Sequence, residues 1–504
     1  METKNKNNYQ QVLNAFTDEE LSQISQVKRF FELYEGDMEF RTSVNAGRID
    51  QAQQKRMQQI GINFHPDEMA LIWKQPEVLD GYACHIQAVN IFEMPDDHVE
   101  AIKKYPLMEL WLRFVQRKKE QFKKICTNNK PPSENKKIES WRTRRIAAAE
   151  SELGAYNHYI DHPLLGMELC DGCSVQCWFC SFSAKKLRNV LDYKKNRDFF
   201  REISQACVDI LGKKATGHSL LYYATEPFDN PHYIDYMRDF LDITGCVVCT
   251  STAVCANKEW IDSLLDFYGP KKMPWPRFSV LSTKMLHKIH DQHSPDELRD
   301  CSLLMQMKDS ERKKVSGGKI FDKKNDMRQR DSSNYMQDVI PQGSIACVTG
   351  FYVNLVRKDI KLVSPCYTSE QWPYGYRVFD ESRFESAADF KRVVLEMIER
   401  NMPEAPPALM PLKLRDDLVF KPLDNGFDLV SPNQVHHFRN TSVFKALRDV
   451  LSGRPVSFQE ASDVLVDTYG QGLFEVHAAL RHMFDDGFLD EVGLSNDCHQ
   501  EACA

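Results

Sequence analysis

No stretch of about 18 apolar residues, the length needed to cross a bilayer, occurs in this chain of 504 residues. The polar beginning, Met1 to Gln11, lacks the apolar centre of a secretion signal. Neither a membrane span nor export is expected. An excess of positive charge is also lacking: 65 Lys and Arg face 72 Asp and Glu, for a net charge of −7. That balance argues against a general nucleic-acid binder. What is present is an ordinary globular composition, 42% hydrophobic and 27% charged. The chain is long enough for about three units of ~150 residues. The 15 cysteines of an unexported chain point to a reducing, cytoplasmic setting, in which they stay thiols or bind metal.

Residues 1–150 read as a helical N-terminal region with a linker. Leu21, Ile24, Val27, Phe30 and Phe31 recur at helical spacing, as do Met57 and Ile60 and later Met69, Ile72 and Trp73. Gly36-Asp37 and His65-Pro66-Asp67 mark turns or caps. The basic stretch from Arg117 through Pro131-Pro132 to Arg145 reads as a solvated linker and helix face. Its other reading is a hold on an acidic peptide by Arg142, Arg144 and Arg145.

Over residues 151–402, short apolar or β-branched runs alternate with amphipathic segments. Strands are predicted at Leu164–Leu169, Ser219–Tyr223, Cys246–Thr250, Phe278–Leu281, Ile345–Val356 and Ile360–Val363. Helices are predicted over 195–211, Tyr233–Leu241, Lys258–Phe267 and Phe384–Asn401. Such alternation favours a parallel sheet, and the units are too few for a closed eight-stranded barrel. The expected fold class is α/β, an open partial (β/α)6 barrel with its chemistry on the loops after the strands. The charged segment Ser310–Ser333, with Gly317-Gly318 inside it, reads as a surface excursion or a lid over the barrel mouth.

Residues 403–433, opened by the proline-rich Pro403–Pro411, read as a linker. Residues 434–494 form a last module. Val443, Leu447 and Val450 fit one short helix, Phe458, Ala461 and Leu465 a second, and Val476, Leu480 and Met483 a third. Asp486-Gly487 then turns into Phe488-Leu489-Asp490. This order resembles a winged helix, though its many acidic residues weaken a DNA-binding reading. It also resembles the small leader-recognition modules attached to peptide-modifying enzymes. A plain structural cap is the remaining alternative.

Cys173, Cys177 and Cys180 carry the most specific signal. They form the run Cys-Ser-Val-Gln-Cys-Trp-Phe-Cys, a C-x3-C-x2-C triplet with an aromatic residue before the last cysteine. Three thiolates this close can hold three irons of a 4Fe–4S cube and leave the fourth iron open to an amine and a carboxylate. The spacing resembles the signature of the radical S-adenosylmethionine (SAM) enzymes. The alternative is a structural zinc site, since Cys170 makes a second C-x2-C pair with Cys173. Zinc knuckles, however, usually stand a dozen or more residues apart, and only three residues separate these pairs. Cys170 reads as a strand-end cysteine, because a fourth thiolate would close the site to SAM.

Other residues follow from that reading. Phe179 fits the aromatic position that packs against the adenosyl group in this superfamily, and burial is expected for it. Ala224-Thr225-Glu226-Pro227 stands after the second predicted strand, where the superfamily has a Gly-Gly-Glu-Pro motif on the SAM ammonium. The two glycines are replaced here, and the plain alternative is a strand-end turn with a helix cap. Ser251, Thr252, Ser279 and Ser282 are candidates for the ribose and carboxylate of SAM, or surface turns. Cys246, Cys249 and Cys255 could suggest a second cluster, but alternation buries at least two of them in a strand, where cysteine acts as a small hydrophobe. After the predicted barrel only Cys366, Cys498 and Cys503 remain, so one cluster is expected. Cys366 ends Lys361-Leu362-Val363-Ser364-Pro365-Cys366 on a strand-end loop. Its weak S–H bond could give a hydrogen atom to a carbon radical, or it could be a structural buried cysteine.

The stretches His162 to Cys180 and Leu362 to Tyr376 resemble the radical SAM peptide epimerases of ribosomal peptide maturation, the proteusin type especially. The likeness covers roughly residues 140–400. It implies conversion of L- to D-residues in a precursor peptide, with one 4Fe–4S cluster and SAM. An adenosyl radical would remove the Cα hydrogen, and a cysteine on the opposite face, mapping onto Cys366, would return one. It further implies a precursor with a long leader, which the last module could dock, and an electron donor such as flavodoxin or ferredoxin. No nucleic-acid or membrane partner is expected. Two alternatives stand beside it: another radical SAM modification such as side-chain cross-linking, and a non-enzymatic, metal-stabilised interaction protein.

Overall fold

The structure, a computed structural model, describes residues 8–79, 96–125, 131–269, 276–307, 310, 315–322 and 343–493. Most of Met1–Gln11, residues 126–130 of the basic stretch, most of Ser310–Ser333, and both Cys498 and Cys503 lie outside the described residues. The protein is mixed α/β with several small sheets. In chain order the strands are β1 (Leu165–Glu168), β2 (Cys170–Asp171), β3 (Asn189–Val190), β4 (Ser251–Thr252), β5 (Arg277–Val280) and β6 (Ser302–Met305). They continue with β7 (Gly350–Asn354), β8 (Asp359–Pro365), β9 (Tyr376–Arg383), β10 (Val419–Leu423), β11 (Gly426–Val430) and β12 (Val435–Arg439). No helix among the described residues is long and apolar enough to cross a membrane.

The chain divides into two compact units. The first comprises Met1–Pro131, Glu226–Leu241 and Val247–Lys313; the second comprises Pro132–Thr225, Asp242–Cys246 and Lys314–Ala504.

In the first unit, helix Asp18–Gly36 starts at a capping box in which Thr17 and Glu20 satisfy each other's backbone N–H groups. Its Ile24, Val27, Phe30 and Phe31 are buried in a core shared with Met57, Ile60, Met69 and Trp111. This is the helical stripe expected from the sequence. Arg29, 1% exposed, reaches from that helix to the carbonyls of Ile60 at 3.1 Å and His293 at 2.8 Å. The same unit holds a three-stranded parallel sheet in the order β4-β5-β6. Helix Lys258–Tyr268 lies between β4 and β5, and helix Thr283–Gln292 between β5 and β6. Strand β6 was not anticipated.

In the second unit a four-stranded sheet has the order β1-β7-β8-β9. Strand β1 is buried along its whole length and pairs parallel with β7, whereas β7–β8 and β8–β9 are antiparallel. The last two strands expected in the barrel are therefore a hairpin, since the turn between them is too short for a parallel crossover. Strand β9 was not anticipated. The strand predicted at Ser219–Tyr223 is reduced to one parallel bridge, Gly166 with Leu220. The strand predicted at Cys246–Thr250 lies one step later, at β4.

Residues 403–433 are not a plain linker. They contain β10 and β11, which with β12 form an antiparallel sheet. Helices Ser442–Ser452, Phe458–Asp463 and Leu473–Asp485 follow, with a π-helical turn at Val464–Thr468. Phe427, Phe438, Leu447, Ala461, Leu480 and Phe488 share one core. Phe488-Leu489-Asp490 contributes a single bridge, Leu489 with Leu414. The alternating pattern of β11 was hidden beside the prolines.

The arginines of helix Lys136–Leu153 are neither solvated nor open to a peptide. Arg142, Arg144 and Arg145 are 1–2% exposed. Arg142 donates to the His162 carbonyl at 3.1 Å. Arg144 meets Glu491 at 2.9 Å and lies over the Phe484 ring at 4.0 Å, and Arg145 pairs with the same carboxylate. Removing one partner of such a network leaves charge buried and unpaired. Glu491→Ala is expected to destabilise the second unit by about 3–5 kcal/mol, measured as the midpoint of its denaturant transition. A loss below about 1 kcal/mol would mean that solvent already screens this pair.

Candidate active site

All of the geometry that follows for the cysteine loop and Cys366 lies in the second unit. Strand β1 is fixed on one side by β7 and on the other by Leu220, which donates to the Leu165 carbonyl at 3.1 Å and accepts from Met167 at 2.7 Å. The chain then passes through β2, whose antiparallel partner β3 returns on the far side of the cysteine loop. Gly172 has φ +96° and lies against the Lys186 carbonyl, where a Cβ would collide with backbone. Cys173 donates to the Lys185 carbonyl at 2.9 Å, and Leu187 donates to the Cys173 carbonyl at 3.2 Å.

Gln176 closes the loop from inside. Its backbone is left-handed, with φ +51°. From there its side-chain nitrogen donates to the carbonyls of Cys173 at 2.8 Å, Ala184 at 3.1 Å and Lys185 at 3.0 Å. Three main-chain oxygens on two limbs are thus held by one carboxamide. At the other end, the Ala184 N–H points at the Cys180 sulfur at 3.4 Å. Phe182 anchors the loop by packing on Tyr223, with ring centres 4.5 Å apart, and on Tyr376 at 6.4 Å.

A short strap, residues 316–320, joins this loop to the one that carries Cys366. Lys319 donates its N–H to the Cys180 carbonyl at 3.0 Å, and its ammonium reaches Gln176 Oε1 at 3.3 Å. Gly318 donates to the Pro373 carbonyl at 2.8 Å. Its φ is +47°, and a Cβ added there would collide with the Ser181 carbonyl, which leaves no room for a side chain. Thr368 donates to the Ser316 carbonyl at 3.3 Å. The loop itself is closed by the Cys366 N–H donating to the Gly375 carbonyl at 3.0 Å. The glycine pair read as part of a surface excursion is in fact the seam between the two loops.

Cys173, Cys177 and Cys180 are half-buried, while Cys170 and Cys366 are buried. Cys170 lies in β2, and its carbonyl accepts from Asn354 at 2.8 Å. Three thiols on one accessible loop fit an iron–sulfur cluster in donor chemistry and in access. They are not drawn together as a cage: among the described residues, no group of three His, Cys, Asp or Glu side chains is placed to hold a metal ion. Phe179 is half-buried, not buried as expected. It stands edge-on to Trp178, with ring centres 5.4 Å apart. Cys366 is 0% exposed, and burial pushes its thiol well above the usual value.

Ala224 and Thr225 are half-buried in the second unit. The Ala224 N–H is held at 2.7 Å by Glu168, a buried carboxyl at the end of β1 that also accepts from Asn354 at 2.7 Å. Burial raises the Glu168 carboxyl above the usual range. Glu226, Ser251 and Ser279 belong to the first unit. Glu226 is buried, accepts from Phe228 at 3.1 Å and Ala253 at 2.8 Å, and is bonded by the Thr252 hydroxyl. Burial pushes its carboxyl up to about 7. Its oxygens cap a 3-10 turn and fix the segment after β4, and Thr252 is engaged with them. Ser282 caps helix Thr283–Gln292 through the Met285 N–H at 3.2 Å. Ser251 and Ser279 are half-buried on β4 and β5.

Cys246 and Cys255 lie outside strands, contrary to the expectation, and Cys249 holds a single β-bridge position. Cys246 and Cys249 precede β4 and are half-buried. Cys255 follows it, buried, with its sulfur 3.4 Å from the Ser279 carbonyl and its thiol pushed up to about 12 by burial. Gln176, Glu168 and Lys319 were missed by sequence reasoning. Only Gln176 carried a signal, a long polar side chain between two of the motif cysteines.

No family model and no solved structure matches the chain. A curated protein of Sinorhizobium fredii, described as "Uncharacterized protein y4wI", is 30% identical over 508 aligned residues, covering 96% of this chain and 93% of that protein. Gln176→Ala is expected to release the cysteine loop: amide hydrogen exchange across residues 173–187 should quicken while β7 and β8 keep their protection. Unchanged exchange in the loop would show that the carboxamide does not hold it.

Proposed function

We propose that this chain, which belongs to one family with the Sinorhizobium fredii protein, is a radical SAM enzyme converting L- to D-residues in a ribosomally made precursor peptide. One observation carries the reading. The loop of Cys173, Cys177 and Cys180 and the loop of Cys366 are tied to one strap by the Lys319–Cys180 and Gly318–Pro373 hydrogen bonds. The motif's spacing and the half-burial of its three thiols support the first part of the site. A partial (β/α)6 barrel belongs to the same reading, supported by the parallel pairing of β1 with Leu220 and of β4, β5 and β6.

When bound, a 4Fe–4S cluster, given one electron by a donor, and SAM would supply the radical chemistry that removes the Cα hydrogen of the peptide. Cys173, Cys177 and Cys180 would hold the cluster, and Phe179, Ala224 and Thr225, of the same unit, are the candidate SAM contacts beside them in the chain. Cys366 breaks its S–H bond homolytically and forms the new Cα–H bond on the opposite face. The sulfur radical left on Cys366 is reduced by one electron, from a donor such as flavodoxin or ferredoxin, and takes a proton from solvent. Burial serves this step, because a sulfur held as S–H has a hydrogen atom to give. The C-terminal module, with a core of its own, is the proposed dock for the precursor's leader.

Reaction in deuterated water is expected to place one deuterium at Cα of each inverted residue, since the thiol exchanges with solvent. A peptide that has lost two hydrogens would assign the chain to cross-linking instead. Cys366→Ala should abolish D-residues while SAM is still cleaved, and full retention of D-residues would overturn its role. Iron content gives a separate check: Cys173→Ala, Cys177→Ala or Cys180→Ala should each lose most of the iron, and Cys170→Ala should keep it.

A further inference from the structure

Next to Cys366 lies a buried cluster of charges with no part in the hydrogen return described above. Glu152, near the end of helix Lys136–Leu153, is 3% exposed. Its Oε1 accepts the N–H of Tyr367, the residue after Cys366, at 2.9 Å. Its Oε2 accepts from Arg377 Nη1 at 2.5 Å. Arg377, in β9, also donates to Asp416 at 2.8 Å and Asp417 at 3.1 Å. Arg415 holds Asp417 by two bonds of 2.8 and 2.9 Å. The main chain is fastened too: Asn433 donates to the Glu152 carbonyl at 2.6 Å and to the Tyr367 hydroxyl at 2.9 Å.

The charged groups that act on the Cys366 thiol are Arg377 from β9, Glu152 from the helix, and Asp416 and Asp417 from the segment before β10. A lone buried guanidinium beside a thiol favours the thiolate, as the depressed values of cysteines next to arginine show. Here three carboxylates oppose it. We propose that Glu152 is a positioning residue for Cys366, fixing the peptide that carries the thiol and offsetting the Arg377 guanidinium beside it. The inference rests on the hydrogen-donor role proposed for Cys366, because S–H and not S⁻ can give a hydrogen atom.

The test follows ionisation of Cys366 in the full-length protein by the carbon-13 shift of its labelled Cβ across pH, assigned by its absence in Cys366→Ala, since a thiol that is 0% exposed gives a reagent no path to it. In the wild type, the thiolate signal should appear only well above the range of an ordinary thiol. Glu152→Gln should move the profile down by about one unit, a roughly tenfold larger thiolate fraction at a fixed pH below the midpoint. Glu152→Asp, which keeps the charge, should stay near the wild type. An unchanged profile in a folded Glu152→Gln protein overturns the proposal. Should that variant not fold, Glu152→Asp carries the test through the Tyr367 amide: its hydrogen exchange should quicken, and wild-type exchange there overturns the proposal. The profile reads the thiol and not the reaction. It can therefore fail while D-residues still form, or stand while none do.

Discussion

The side chain of Gln176 is the contact on which the candidate site most depends. A loop that places three cysteines within eight positions exposes main-chain carbonyls on both limbs, and each needs a donor. Gln176 supplies that donor to Cys173, Ala184 and Lys185. The left-handed backbone at Gln176 accompanies these bonds, and the motif cysteines stay half-buried. Lys319 then connects the closed loop to the strap, and the strap connects it to the loop of Cys366. Several weak interactions acting through shared residues make the two loops one structural element.

Around that element the second unit holds two clusters of buried charge. Arg144 and Arg145 share Glu491, and Arg377 shares Glu152 and Asp417. Buried ion pairs add little net stability compared with apolar packing, but they tolerate few alternative arrangements. Both clusters start from one helix, Lys136–Leu153, and reach residues far along the chain. The helix therefore sets the register of the Cys366 loop and of the segment around Glu491 by satisfying charges. In a basic stretch of sequence those same arginines look like solvent-facing residues, because the carboxylates that bury them lie hundreds of positions away.

How much was legible follows from the range of each interaction. Helices such as Asp18–Gly36, Tyr193–Leu211 and Lys258–Tyr268 were readable, because their apolar stripes and caps are local. Strands β5 and β8 were nearly right for the same reason. The predicted barrel order ran ahead of the pairing: Leu220 makes a single bridge and β8 runs antiparallel, and pairing partners are not encoded in local alternation. Strand β6 and the sheet of β10, β11 and β12 were passed over where charge and proline masked short alternating runs.

The sequence alone determined the cysteine spacing, the thiol after β8 and the helical character of the N-terminal region, because covalent neighbours fix those relations. Only the tertiary structure decided that Glu226 and Thr252 bond each other, that Gly318 is a seam, and that Glu152 stands beside the Cys366 peptide. Each of these depends on burial, which removes water as a competitor and leaves distant residues as the available partners.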